Sequence, residues 1–254
     1  AMDRLIYTAM TGASHILERQ ATISNNLANN NTTGYRSAID SFRAIPLVGE
    51  GLPTRTFVVN GLSGYDLTPA TLTHTGRSLD VGINGKGWIA VLLPDNTEAY
   101  TRNGNLQVST DGILQTNTGY PVIDDNGELL ARDQIDIPPD TQVTIGPDGT
   151  ISTVPGGIPP MPSTTVGKLR LVDPSEDQLY RGEDGLFRTR DRKPVPPSTT
   201  VTLSPETLES SNVNAISAMV DIISISKQFE MHMQMLQTAQ SNDQLATQIL
   251  SSLR

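Results

Sequence analysis

The last stretch of the chain, Asn212 to Arg254, constrains it most. Stepping alternately by three and four gives Ala215, Ala218, Ile222, Ile225, Phe229, His232, Leu236, Ala239, Asp243, Ala246, Leu250 and Leu253. Only His232 and Asp243 break the apolar series, and neither Pro nor Gly occurs in the run. A repeat near 3.5 residues, held over that length, predicts a helix that packs along other helices. At the α-helical rise it would be roughly 60 Å long. A second apolar edge, Ile216, Val220, Ile223, Met231 and Met235, runs beside the first. One partner would not cover both edges, so the stretch reads as built for an assembly.

The other end of the chain repeats the pattern. Ile6, Ala9, Ala13, Ile16, Gln20, Ile23, Leu27 and Asn30 keep the three-four spacing, and Leu5 and Leu17 widen the stripe. Asp3 suits the first turn of a helix, where a carboxylate faces unsatisfied N–H groups. The spacing predicts a helix from about Asp3 to Asn29, roughly 40 Å long. The Asn-rich run and Gly34 then end it, since both residue types accept a left-handed cap.

Composition sets mild bounds. The 254 residues suit one or two domains. A net charge of -9 argues against nucleic acid or an anionic membrane as partner. The chain has no Cys, which excludes disulfides and thiolate metal sites. No apolar run reaches bilayer-spanning length, and the N-terminal stretch is amphipathic where a secretory signal would be apolar.

Residues 32–76 are rich in Thr, Pro and Gly and read as an extended connector with a short strand near Thr56 to Val59. From Arg77 to about Leu203 the signal is β. Short apolar runs such as Trp88 to Leu93, Ala99 to Arg102 and Leu106 to Val108 alternate with Asn103-Gly104, Asp111-Gly112, Asn126-Gly127, Asp148-Gly149 and Asp184-Gly185. Such dipeptides accept positive φ and mark hairpin turns.

The residues that invite a chemical reading mostly have a plainer one. Gly82-x-x-Gly85-x-Gly87 resembles a phosphate loop, yet a strand follows it where a helix N-terminus is needed. Asp124 to Glu128 lacks the ligand spacing of a calcium loop and reads as a solvated turn. His15, His74 and His232 stand apart, without a second ligand at metal-binding spacing. Glu98, Tyr100 and Arg102 alternate onto one strand face, as a cross-strand polar surface would. No nucleophile elbow or spaced acid pair stands out. The expectation is a protein of contact residues, not an enzyme, with no catalytic residue, cofactor or metal.

Three blocks carry a resemblance. Ser24-Asn25-Asn26-Leu27-Ala28-Asn29-Asn30-Asn31-Thr32-Thr33-Gly34-Tyr35-Arg36 closely resembles the N-terminal signature of the bacterial flagellar rod and hook protein family. Leu208-Glu209-Ser210-Ser211-Asn212-Val213-Asn214, followed by Ala218-Met219-Val220, resembles its C-terminal signature. Leu79-Asp80-Val81, Gly85-Lys86-Gly87-Trp88 and Tyr100 to Gly104 resemble the start of its β domain. Within the family, Gln228 to Met231 and Leu52 to Thr56 are most similar to proximal rod subunits. Distal rod subunits would show Tyr at the Phe229 position and a longer connector.

The resemblance implies a basal-body rod subunit whose terminal helices pack side by side into a tube. It also implies passage through the flagellar type III export machinery without a cleaved signal, and a place in the rod where it crosses the periplasm. Its expected partners are copies of itself and other rod subunits. The fold class expected is α+β: two long terminal helices forming a coiled-coil-like core, with an inserted antiparallel all-β domain. The expected domains are 1–31 with 212–254, a connector at 32–76, and the β domain at 77–211. The expected assembly interface comprises Ile6, Ala9, Ala13, Ile16, Ile23, Asn25, Asn26, Leu27, Asn29 and Gly34. From the C-terminal end it takes Asn212, Val213, Ile222, Ile225, Phe229, Leu236, Leu250 and Leu253. A distal-rod or hook-type subunit, a surface or phage-tail-like ligand-binding module, and a peptidoglycan hydrolase are the alternatives.

Overall fold

The structure, a computed structural model, describes residues 2–40, 42–46, 56–60, 64–130, 141–155 and 163–252. Leu52 to Arg55 of the family-like connector motif, and most of the Pro-rich run after Val154, lie outside the described residues. The chain divides into two compact units. Unit 1 takes Ala1–Asn30, Ser37–Asp66 and Val213–Arg254; unit 2 takes Asn31–Arg36 and Leu67–Asn212.

Unit 1 holds α1 (Met2–Ala28), β1 (Ala38–Ile39), β2 (Phe42–Pro46), β3 (Thr56–Asn60), β4 (Gly64–Tyr65) and α2 (Ala215–Ser252). β2 and β3 form an antiparallel hairpin with Phe42 opposite Asn60, and β1 pairs antiparallel with β4. Asn214 starts α2, its Oδ1 accepting the Ser217 N–H at 3.0 Å. That bond satisfies one of the N–H groups a helix N-terminus leaves open.

Unit 2 carries β5 (Leu72–His74), β6 (Val81–Asn84), β7 (Trp88–Leu92), β8 (Glu98–Thr101), β9 (Leu106–Val108) and β10 (Leu114–Thr116). After these come β11 (Thr141–Ile145), β12 (Thr150–Pro155), β13 (Thr164–Lys168), β14 (Leu171–Val172) and β15 (Leu179–Arg181). The last are β16 (Phe187–Thr189), β17 (Thr202–Pro205) and β18 (Thr207–Glu209). A five-stranded antiparallel sheet runs β14-β7-β8-β16-β15, and a three-stranded one runs β11-β12-β13. β17 pairs with β6 and β18 with β5, so the end of the unit returns to its beginning. The core is apolar and aliphatic, with Val81, Ile83, Ile89, Val91, Leu106, Leu169 and Leu203 all buried. Trp88 packs on Phe187 with ring centroids 4.5 Å apart.

The expected α+β class with a coiled-coil-like helical core is corrected here. The chain is mostly β, with one helix near each end, and the hydrophobic core lies among the strands of unit 2. Of the described residues of α2, only Ala218 and Ile225 are buried. A coiled-coil seam needs large apolar knobs buried turn after turn. At one point of this seam Gly12 instead faces the His232 imidazole, a Cβ placed on Gly12 lying 3.1 Å from the ring. Heptad spacing reports which face of a helix is apolar. It does not report whether the chain's own second helix covers that face.

Candidate assembly interface and its anchor

The described stripe of α2 faces inward more than its flanks. Ile225 is buried, and Ile222, Phe229 and Leu236 are half-buried. The second edge is open: Ile216 is 77% exposed and Ile223 58%, and Val220, Met231 and Met235 are exposed too. On α1, Ala13, Ile16, Ile23 and Leu27 are half-buried, while Met10 and Leu17 are exposed. Ile6 and Ala9 lie in α1 and Leu250 in α2. Leu253 lies outside the described residues.

The Asn-rich end of α1 has local work to do. Asn26 donates from Nδ2 to the Ala38 carbonyl and accepts the Ala38 N–H on Oδ1, both at 2.9 Å. Its amide thus pairs with a peptide group as a neighbouring strand would. Asn29 donates from Nδ2 to the Asn25 carbonyl at 2.9 Å and to Asn25 Oδ1 at 3.0 Å, finishing the last turn. These bonds keep Asn25, Asn26 and Asn29 busy within the chain.

Beyond Asn30 the chain enters unit 2, and a buried charge cluster meets it. Arg36 and Glu209 are each 0% exposed and Arg102 is 3% exposed. Arg36 donates from Nη2 to Glu209 Oε1 at 2.5 Å, and Arg102 from Nε to Glu209 Oε2 at 2.7 Å. The Ala70 N–H also donates to Oε1, at 2.8 Å. The other Arg102 nitrogens serve backbone carbonyls: Nη1 reaches Gly87 at 2.7 Å and Nη2 reaches Gly85 at 2.8 Å. The glycine loop that resembles a phosphate cradle therefore presents carbonyls to a cation. A buried ion cluster is tolerable only when its members are paired in this way.

Backbone bonds complete the node. Gly34 donates its N–H to the Glu209 carbonyl at 2.8 Å, and Asn212 donates its N–H to the Tyr35 carbonyl at 3.3 Å. Arg181 donates from Nη1 to the Arg36 carbonyl at 2.9 Å, its guanidinium 4.8 Å from the Tyr35 ring centroid. Gly34 holds φ +68°, and a Cβ there would overlap the Arg102 backbone. Val213, the next residue along, is half-buried at the start of the last segment of unit 1.

The three blocks are legible in the sequence, but what joins them is not. Arg36, Arg102 and Glu209 sit among mostly small and uncharged neighbours in their blocks, and that isolation was the available signal. Glu98, Tyr100 and Arg102 do share a strand face, but the face is largely covered. Arg170 Nη1 forms an ion pair with Glu98 Oε1 at 3.2 Å, and Tyr100 donates to Glu98 Oε2 at 3.2 Å while accepting the Val195 N–H at 3.0 Å. Burial pushes the Tyr100 hydroxyl up to about 12, so it stays a neutral hydrogen-bonding group.

The turn acids are used locally. Asp124 Oδ1 accepts the N–H groups of Asn126 and Glu128 at 2.9 and 2.8 Å, and Asp148 holds Thr150 in the same manner. An open cleft beside Asp95, Glu98, Asp184 and Arg188 is polar, with Asp184 already engaged by Arg188.

Comparison with known proteins falls on the same three blocks. The family model for the flagella basal body rod protein matches residues 6–36. That for the flagellar hook protein FlgE/F/G D1 domain matches 82–153, and that for the flagellar basal body rod FlgEFG protein C-terminal region matches 204–249. The flagellar basal-body rod protein FlgF of Escherichia coli is 41% identical, over 98% of this chain and 99% of its own length. The chain belongs to the flagellar basal-body rod protein family. The FlgF protein of Salmonella typhimurium is 40% identical over the same shares of the two chains, and the FlgG protein of Buchnera aphidicola is 29% identical over 96% of this chain. Each matched segment of the rod family supplies one member of the buried cluster: Arg36, Arg102 and Glu209. Among the described residues no helix is long and apolar enough to cross a membrane.

Proposed function

We propose that this chain is a FlgF-type structural subunit of the basal-body rod, in its proximal part, and that it works as a scaffold without catalysis. Its helices supply the contact surface, and copies of itself and other rod subunits are the partners. The observation that carries this reading is the open apolar edge of α2, Ile216 through Met235, on a helix of 38 residues. Apolar side chains left in water over that length gain most by burial against other subunits. Packed side by side, such helices make the wall of a tube that transmits torque and surrounds the export path. The half-buried stripe residues around Phe229, with the corresponding face of α1, complete the contact set. In this reading the terminal segments form the polymerising part and residues 77–211 an outer β domain. Delivery through the flagellar type III export machinery, without a cleaved signal, belongs to the same reading. The 41% identity to Escherichia coli FlgF, and the 32% to FlgF against 29% to FlgG within one Buchnera aphidicola strain, favour the proximal over the distal position.

The test is complementation in a strain lacking its own copy. The chain should restore swimming and be found in purified basal bodies by mass spectrometry. A variant with Ile216, Val220 and Ile223 changed to Ser should be exported but not incorporated. Normal incorporation of that variant would remove the open edge as the contact surface.

A further inference from the structure

We infer that Glu209 is the positioning residue of a head-to-tail latch, which joins the stem following α1 to the stem preceding α2 inside unit 2 of each subunit. The inference rests on the rod-subunit reading above and concerns how one subunit is prepared for assembly.

The two stems are residues 31–36 and 209–212. They are tied to one another by two backbone bonds, from Gly34 to Glu209 and from Asn212 to Tyr35. Backbone bonds alone leave register poorly specified, because a slipped pair forms the same bonds. The side chains remove that freedom. Arg36 meets the Glu209 carboxylate at 2.5 Å with neither group exposed, and Arg102 holds the opposite oxygen of the same carboxylate at 2.7 Å. A slip of either stem by one residue would turn Arg36 or Glu209 to the other face. A buried guanidinium would then lack its anion, a far larger loss than a strained turn. Arg102 is itself fixed from below by the carbonyls of Gly85 and Gly87. The latch is therefore anchored in the β core, and it sets stem register without touching a neighbour. A polar device that gives up stability for a single register has precedent in buried polar groups of helical assemblies.

Two variants of the full chain separate latch from general stability. Arg36→Met keeps length and bulk while leaving Arg102 and Glu209 as a balanced pair, so unit 2 should still unfold cooperatively at an unchanged midpoint. Amide hydrogen exchange over residues 31–36 should rise about tenfold or more, as the loss of a charge-assisted bond implies, with the Trp88–Leu92 strand unaffected. Incorporation into rods should fall even though stability does not. Arg36→Lys, which keeps a cation within reach of the carboxylate, should recover much of both. Glu209→Gln should loosen both stems more strongly; if it does not fold, the Arg36 pair carries the test. Unchanged exchange at 31–36 in Arg36→Met overturns the latch. So does raised exchange with normal incorporation, or incorporation that merely follows the melting midpoint. Exchange is read on the isolated chain, so failure of the unaltered chain to enter rods would count against the proposed function and not against the latch.

Discussion

Arg36 and Glu209 lie 173 residues apart in sequence and share a hydrogen bond of 2.5 Å from which water is excluded. Glu209 bridges two buried guanidiniums with one carboxylate, so its loss leaves two cations without their shared anion. Glu209→Ala should cost about 3–5 kcal/mol, the usual cost of breaking a buried ion cluster from one side. Trp88, the only Trp, is buried in unit 2. Its fluorescence during urea unfolding therefore reads that unit directly. A loss under about 1 kcal/mol would mean the cluster contributes no more than an exposed ion pair.

Gly34→Ala tests how closely the first stem lies on the strand turn at Arg102. The residue needs φ +68°, and an added Cβ would come within 2.6 Å of the Asn103 nitrogen and overlap Arg102. Strain and overpacking together should cost about 1–3 kcal/mol. The same urea titration measures it. An unchanged midpoint would show that the stem is not seated against that turn.

Ile225 and Ile223 separate the two edges of α2. Ile225 is 2% exposed, so Ile225→Ala should lower stability by about 2–5 kcal/mol and weaken the helical circular dichroism signal of the isolated chain. Ile223 is exposed, and Ile223→Ala should stay within about 0.5 kcal/mol while reducing rod incorporation. Equal effects on the isolated chain would contradict the burial of one edge alone.

The turn acids give a pH test that also bears on catalysis. Arg188 donates to both Asp184 oxygens, at 2.9 and 2.5 Å, and holds that carboxyl below the usual Asp range. A depressed value stabilises the fold above the unfolded value, about 3.9. The contribution is lost as pH falls through the lower folded value. Asp184→Asn should cost only about 0.2–1 kcal/mol at neutral pH, and the gap to the unaltered chain should close as pH drops below 4. Asp124→Asn keeps an acceptor for the Asn126 N–H. Both variants should swim. Loss of swimming with normal incorporation in either would make that acid an active-site candidate.

Both helices were legible because an apolar stripe at three-four spacing over so many turns has no other regular solution. The α1 expected from Asp3 to Asn29 spans Met2–Ala28. Asp111-Gly112, Asn126-Gly127, Asp148-Gly149 and Asp184-Gly185 mark turns between paired segments for the same local reason, whereas Asn103-Gly104 links β8 to β9, which pair with other strands. What the helices bury was not legible, because a stripe does not name its cover, and the coiled-coil core was the casualty. Nor was the cluster, since Arg36, Arg102 and Glu209 meet only through the pairing of β5 with β18 and β6 with β17. Local patterns carry no record of such distant pairing. Gly34 reads at sequence level as a helix stop, yet its close approach to Arg102 depends on that same long-range closure.

That closure has a kinetic consequence. The strands that complete the start of unit 2, Thr202–Pro205 and Thr207–Glu209, are the last it contains. Folding dominated by such non-local pairs is slow, since the entropy of a long loop is spent before the contacts that offset it form. A chain emerging N-terminus first would hold Arg36 and Arg102 without their anion until Glu209 arrived. β5 and β6 would stay without their partner strands until β17 and β18 had followed.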